Sequence, residues 1–303
     1  MAVDIDKLQV PEVLIAQALT EDLQESGDLT SEATIPASST ATVNVVSREF
    51  GTLSGSVLIG PIYTALAERI TLPSCHIQLF MEEGDQLEPN SVIGSVTGPI
   101  HALLAGERTV LNFLTHLSGI ASLTAKFVEL VRGSSADVLD TRKTLPGYRS
   151  LQKYAVRCGG GLNHRMGLYD GILIKDNHLA ARGDHSPGET VTAARKFLSC
   201  GNLNLPVEVE VDSLDQLRDV LTVSPDIVLL DNMKTSELQQ AVSIRDAVSP
   251  PTLLEASGGV TLQNIGCIAG TGVDRISIGC LTHSAPALDI GYDWPETELR
   301  IDQ

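Results

Sequence analysis

From about residue 136 onward, short apolar runs alternate with stretches of helical periodicity. This β-then-α recurrence constrains the chain more than any single motif. The runs are Asp137–Asp140, Gly171–Lys175, Val207–Val211, Ile227–Asp231, Leu253–Ser257 and Arg275–Gly279. Between them, Glu189–Leu198, Leu214–Leu221 and Glu237–Val248 carry the spacing of helices. Repeated units of this kind require a parallel sheet with helices outside, either a barrel or an open, doubly wound sheet. The strand ends decide between them. Each run ends in a residue with chemical potential: Asp140 leading into Arg142-Lys143, then Lys175, Glu210, Asp231, Ser257-Gly258-Gly259 and Gly279. In a barrel all such ends converge on one mouth. In an open sheet, ends far from the switch point do not meet. The pattern favours the barrel, and no GxGxxG follows a strand to support a dinucleotide fold.

The first hundred residues read differently. A helix near Pro11–Gln24 precedes the polar turn SGDLTSEATIP, and then come alternating runs at Ala41–Arg48, Gly51–Ile59, Ile77–Met81 and Ser91–Thr97. Gly84-Asp85 and Pro89-Asn90 punctuate them as turns. The expectation is an antiparallel sheet carrying helices, followed by one or two long helices over His101–Arg132. With 303 residues there is room for two domains, read here as 1–120 and 121–285.

Charge narrows the function. The formal net charge is −17, yet eight of the 21 Lys and Arg residues lie between Arg142 and Arg182, where the only acids are Asp170 and Asp176. A cationic island in an acidic protein suits a small polyanion, and the Arg fork matches carboxylates and phosphates alike. Nucleic acid is an unsuitable partner, since aromatics make up 4% of the chain and no broad basic surface is present. No apolar stretch reaches membrane-spanning length, and the N-terminus reads as carrying no targeting segment. Five scattered cysteines without a CxxC pair fit reduced thiols in a cytoplasmic protein.

Three groups of residues can carry chemistry. Arg142, Lys143, Arg165 and Lys175, with His164 beside Arg165, can neutralise an anion of more than one charge. Arg149, Lys153 and Arg157, spaced along a helix, read instead as a solvated face. Glu210 and Asp231 end buried runs and can hold Mg²⁺ or accept hydrogen bonds from sugar hydroxyls, with salt bridging to the cations as the bland alternative. Glu208 alternates with Glu210 on the same run, so burial alone does not assign the role. Ser257, Gly258, Gly259 and Gly279 let backbone N–H groups approach an anion, though a tight turn also wants glycine. His178 lies just past Lys175 and reads as a buttress. Gly159-Gly160-Gly161 reads as a close-approach segment that lets residues 163–165 fold back to the mouth.

Several segments resemble one family, quinolinate phosphoribosyltransferase: GERTVLNFLTHLSGIA, DTRKTLPGYR, QKYAVRCGGGLNHRMGLYDGILIKDNH, EVEV, LLDN, EASGG and ISIGCLTHSAPALD. The resemblance spans nearly the whole chain, in the family's order. It implies an N-terminal α/β sandwich domain and an incomplete, about seven-stranded α/β barrel of the type II phosphoribosyltransferase kind. It also implies that the tail, about 286–303, returns to the first domain. The implied reaction joins quinolinate to phosphoribosyl pyrophosphate, giving nicotinate mononucleotide, pyrophosphate and CO₂, with Mg²⁺ required. By resemblance, Lys143, Lys175, Glu210 and Asp231 are catalytic, with Glu210 and Asp231 toward the metal. Arg108, Thr141, Arg142, His164 and Arg165 would bind substrate, and Ser257, Gly258, Gly259, Gly279, Cys280 and Leu281 would cradle phosphate. Arg108 would reach the neighbouring subunit's site, which implies a homodimer, with hexamers as a further assembly. Rival readings are a relative acting on a monocarboxylate such as nicotinate, a lyase with Lys175 as Schiff-base former, and a non-catalytic anion binder.

Overall fold

The computed structural model describes residues 8–183 and 185–294. Its elements begin with α1 (Glu12–Leu23), α2 (Leu29–Thr34), β1 (Thr40–Ser47), β2 (Gly51–Thr52), α3 (Ile59–Ile70), β3 (His76–Leu79), β4 (Gln86–Leu87) and β5 (Val92–Pro99). Then follow α4 (Ile100–Val131), β6 (Asp137–Leu139), α5 (Arg149–Cys158), β7 (Ile172–Ile174), α6 (Asp176–Arg182), α7 (Pro187–Cys200), β8 (Val207–Val211) and α8 (Leu214–Leu221). The chain continues through β9 (Ile227–Asp231), α9 (Thr235–Val248), β10 (Leu253–Ser257), α10 (Ile265–Ala269), β11 (Arg275–Ser277), α11 (Cys280–His283) and β12 (Ile290–Asp293). Two compact units result. One draws on the described parts of residues 1–123, 146–160 and 284–303, the other on 124–145 and 161–283. Among the described residues no helix is long and apolar enough to cross a membrane.

The first unit holds a four-stranded antiparallel sheet in the order β12-β1-β5-β3. Its strands alternate as half-buried strands do, with Val43 and Val45 of β1 fully buried. β12 pairs with β1 so that Asn44 faces Asp293 and Ser47 faces Ile290. Residues 295–303 of the tail lie outside the described residues. α1 turns Ile15, Leu19 and Leu23 inward at four-residue spacing. The helical stretch expected over His101–Arg132 is one helix rather than two, the 32-residue α4 (Ile100–Val131).

Two expectations are corrected in this unit. The run Gly51–Ile59 is strand only at Gly51–Thr52; Gly55 then takes a left-handed φ of 98° and a short 3-10 turn leads into α3. The cause is Glu83, a buried carboxylate that accepts from Gly55 N at 2.7 Å, Ser56 Oγ at 2.5 Å and Val57 N at 3.2 Å. Collecting these donors favours a helix start over a ladder. Lys153 is not on a solvated face: it is 1% exposed, on a helix buried continuously from Leu151 to Val156. Arg157 is half-buried, its guanidinium 5.6 Å from the centroid of the Tyr154 ring. Cation spacing shows which residues share a helix face, but not whether solvent reaches that face.

The second unit is a six-stranded parallel sheet, in the order β6-β11-β10-β9-β8-β7. An isolated parallel bridge, Leu139 to Leu162, adds a stub beside β6 where about seven strands were expected. Strand alternation divides the sheet into two unlike faces. Val138, Ile174, Val209, Val228, Leu230, Leu254 and Ile276 occupy one face, all buried. The other face carries Glu208, Glu210, Asp231, Glu255, Ser257, Arg275 and Ser277. Registers place Glu210 and Glu255 opposite Leu229, Glu255 opposite Arg275, and Ser257 opposite both Asp231 and Ser277. Two helices between strands start on serine caps: Ser213 accepts from Gln216 N ahead of α8, and Ser186 with Glu189 forms a capping box ahead of α7, with Pro187 in its first turn.

Glu83→Ala should strip three donors of their buried acceptor and lower unfolding free energy by about 3 kcal/mol. Urea denaturation monitored by far-UV circular dichroism measures it; an unchanged midpoint would refute the role given to this carboxylate.

Candidate active site

Every strand of the parallel sheet delivers a polar residue at its C-terminal end. After β6, Asp140 is buried, its Oδ1 accepting from His164 N at 3.0 Å and its Oδ2 from Asn163 Nδ2 at 2.6 Å. Thr141 Oγ1 accepts from Lys143 N at 3.1 Å, shaping the turn from which Arg142 and Lys143 project, both exposed. Thr282 Oγ1 donates to Lys143 O at 2.8 Å. Gly279 lies against the same lysine, for a Cβ there would stand 3.0 Å from Lys143 Cδ. Cys280 and Leu281 open the short α11. Leu281 is fully buried, and burial pushes the Cys280 thiol up.

After β7, Lys175 Nζ is paired with Glu210 of β8. The Lys175 backbone N–H donates to His178 Nδ1 at 2.9 Å, which makes His178 the expected buttress. The Lys175 side chain is 45% exposed. A Schiff-base lysine needs desolvation to shed its proton, so this geometry disfavours that rival reading.

Between β6 and β7 stand His164 and Arg165. Arg165 Nη1 donates to Gly171 O at 3.0 Å, while its buried Nε has no acceptor among the described residues. Burial first, and then the charge of Arg142, pull Arg165 below its ordinary value, so these two guanidiniums share one neighbourhood. His164 lies deeper. Its Nε2 stands 3.0 Å from Glu208 Oε2 and 3.5 Å from Glu255 Oε1. Arg275 Nε donates to the other oxygen of Glu255 at 2.8 Å. Burial would depress His164, but the two carboxylates outweigh it and hold its pKa above the ordinary value. Burial raises Glu255, and repulsion from Glu208 adds to it.

At the ends of β9 and β10, Asp231 Oδ2 accepts from Asn232 Nδ2 at 2.7 Å, and Asn232 N donates to Ser257 O at 2.9 Å. Asn232 adopts a left-handed φ of 54°, a region asparagine tolerates. Gly258 must be glycine: its φ is 94°, and a Cβ would fall 2.2 Å from Asn232 Oδ1.

Two sets of donors merit comparison for a cation. Glu210 and Asp231 lie on one face of adjacent strands near their C-terminal ends, carboxylates of the hard-oxygen kind that Mg²⁺ takes. The compact set is His164, Glu208 and Glu255, whose ligand atoms lie within 4.8 Å of one another. Arg275 already supplies a cation there.

Residues 28–118 match the N-terminal domain of quinolinate phosphoribosyl transferase, and residues 120–293 match its C-terminal domain. The chain belongs to the quinolinate phosphoribosyltransferase family. It is 45% identical to the nicotinate-nucleotide pyrophosphorylase (carboxylating) of Mycobacterium leprae, over 92% of this chain and 95% of that protein. The human protein of the same description is 37% identical, over 93% of this chain and 92% of its own. The solved nicotinate-nucleotide pyrophosphorylase of Francisella tularensis superposes with a TM-score of 0.85 at 36% identity, covering 96% of this chain and 99% of that one. The α/β architecture of this quinolinate phosphoribosyltransferase family member is thereby shared with solved relatives.

The structure brings Arg142 and Arg165 into one neighbourhood, pairs Lys175 with Glu210, and joins Asp231 to Ser257 and Gly258 through Asn232. Arg108 sits exposed on α4 in the first unit. Sequence reasoning gave no role to Glu255, Arg275, Asn232 or Asp170, and left Glu208 open. One signal was available: VEVEV, LLEAS and RIS put charges inside runs that a sheet buried on both faces would fill with aliphatics.

Gly258→Ala should displace Asn232 from Asp231 and cost about 1–3 kcal/mol in backbone strain alone. Thermal unfolding beside a Gly133→Ala control separates strain from crowding, because Gly133 shares a positive φ of 88° but has open space around it. Equal losses at the two positions would sink the assigned contact.

Proposed function

We infer that this chain is a decarboxylating quinolinate phosphoribosyltransferase, condensing quinolinate with phosphoribosyl pyrophosphate to give nicotinate mononucleotide, pyrophosphate and CO₂ in NAD biosynthesis. The observation that carries this reading is that Arg142 and Arg165 lie close enough for their charges to act on each other, with Lys175 following the end of β7, a cation set that suits a dianion. Family membership over nearly the whole chain supports it.

In this reading Arg142, Arg165 and Lys175 take the two carboxylates of quinolinate, with His164 beneath them. Lys143 faces the departing pyrophosphate, and Thr141 shapes its turn. Ser257, Gly258 and Gly259, with the backbone of Gly279, Cys280 and Leu281, receive the 5′-phosphate. Glu210 and Asp231 face the ribose hydroxyls and would hold Mg²⁺, which when bound would supply charge neutralisation to the pyrophosphate. Bond breaking at ribose C1 runs ahead of bond making, and the pyridine nitrogen captures the electron-poor carbon. The resulting pyridinium accepts the electron pair left when the adjacent carboxylate departs as CO₂, and a proton from solvent then fills that carbon. The protein supplies orientation and fixed charge, and no side chain forms a covalent bond.

Arg108 is exposed on α4, which supports a homodimer in which it would reach the neighbouring subunit's site. The five free cysteines fit a cytoplasmic enzyme.

Purified protein with quinolinate, phosphoribosyl pyrophosphate and Mg²⁺ should release CO₂ and nicotinate mononucleotide, whereas nicotinate in place of quinolinate should give no product. Lys175→Ala and Arg142→Ala should each lower kcat/KM by about 10²-fold or more. EDTA should abolish turnover, with recovery on added Mg²⁺. Product from nicotinate at an equal rate would replace quinolinate with a monocarboxylate substrate.

A further inference from the structure

Four consecutive backbone amides tie down the loop that presents Arg165. His164 N donates to Asp140 Oδ1 at 3.0 Å, Arg165 N to His164 Nδ1 at 2.8 Å, Met166 N to Asp170 Oδ2 at 2.7 Å, and Gly167 N to Asp170 Oδ1 at 2.9 Å. Side-chain acceptors thus do for this segment what a ladder does for a strand, fixing the backbone without regular structure. One of the ties, the His164 ring, is itself held from the sheet below. Glu208 Oε2 stands 3.0 Å from Nε2, and Glu255, locked by Arg275 at 2.8 Å, stands 3.5 Å away. Because Nδ1 accepts from an amide, the proton of the neutral ring is on Nε2 and faces Glu208.

The same atoms have metal-ligand spacing. Arg275 already neutralises Glu255, however, and Nε2 has a proton to present to Glu208. Arg275 and the His164 ring thus partner one oxygen of each carboxylate, while Glu208 Oε1 and Glu255 Oε1 stay buried without a hydrogen bond among the described residues. The loop has one open end: the buried Nε–H of Arg165 has no acceptor among the described residues, while Nη1 is held by Gly171 O. A guanidinium anchored at one nitrogen and open at another is set to receive a carboxylate edge.

We infer that Glu208 and Asp170 are positioning residues for Arg165, each fixing the loop from which this acid-binding guanidinium projects. The inference rests on the proposed reaction for its kinetic readout. Glu208 acts through His164 Nδ1 on the Arg165 amide, and Asp170 acts on the two amides that follow. Glu208 Oε2 and both oxygens of Asp170 face groups of this loop, so their loss should be felt in acid binding and not in recognition of the pentose donor.

The test uses the full-length protein with Asp170→Ala, Glu208→Ala and Glu208→Gln, varying quinolinate and phosphoribosyl pyrophosphate separately. Asp170→Ala and Glu208→Ala should raise KM for quinolinate by about tenfold or more, with KM for the pentose donor within about twofold. Glu208→Gln keeps an oxygen that accepts from Nε2–H, and should return KM to within about threefold of the unmodified protein. A quinolinate KM unmoved in Asp170→Ala overturns the inference. So does a parallel rise in both KM values with a lowered melting temperature, the mark of a merely structural role. Should Glu208→Ala fail to fold, the other two variants carry the kinetic arm. Nitrogen-15 NMR of the histidine rings in the unmodified protein, at about pH 8.5, supplies an arm independent of turnover. His164 protonated on Nε2 alone is expected, and a proton on Nδ1 overturns the inference. A protein that shows the expected tautomer but no turnover refutes the proposed reaction, not the tie.

Discussion

The second unit depends on ionised side chains held on the inside of a parallel sheet. Glu208 and Glu255 are 4% and 0% exposed, and taking either out of water unpaired costs several kcal/mol. Their partners come from different strands and loops: Arg275 from β11, and His164 from the loop following the Leu162 bridge. Glu255 therefore couples β10 to β11, while Glu208 couples β8 to a segment far from it in sequence. Such pairs contribute little net stability compared with a packed apolar core, yet they penalise any register that would part them. Slipping β10 by one residue would bring Ala256 to this face and strand Arg275. The opposite face carries the hydrophobic burial, and its unbroken aliphatic character leaves the inner face free to be polar.

That division explains what was legible in the sequence. The periodicity that gave the strands comes from the aliphatic face: Val207, Val209 and Val211 on β8, Val228 and Leu230 on β9. Helix positions were legible for the same reason, since Leu214–Leu221 begins and ends where its apolar stripe does. The run Gly51–Ile59 misled because its helical turn is imposed by Glu83, about thirty residues away, and no local pattern encodes a distant carboxylate. Lys153 misled for a related reason. A helix buried on all sides hides even a lysine, and spacing alone does not report what stands opposite.

The candidate site was legible where residues end strands, and illegible where they act through others. Lys175, Glu210 and Asp231 follow apolar runs and announce themselves. Asn232 does not: its importance lies in a left-handed backbone and a hydrogen bond to its own neighbour, matched by the missing Cβ of Gly258. Asp170 is one acid in a loop until the two amides it accepts are seen. Such roles emerge from backbone geometry, which composition and periodicity do not carry.

The resting partners of the cations bear on how a dianion is chosen. Lys175 is paired with Glu210, Arg165 leans on Gly171 O, and Arg142 is open to water. Lys175 and Arg142 would not become unpaired buried charges if one carboxylate of the ligand were missing, whereas Arg165 Nε would stay a buried donor. A monocarboxylate would therefore lose attraction at the exposed cations without stranding them, a difference of about 1.5–3 kcal/mol for a hydrogen bond to a charged group. Binding alone then separates the two acids by roughly ten- to a hundredfold. Decarboxylation adds a difference in driving force, because an acid without the carboxylate beside its ring nitrogen could be ribosylated but has no CO₂ to lose. In a site built this way, the step that draws the reaction forward is also the one that a monocarboxylate cannot perform.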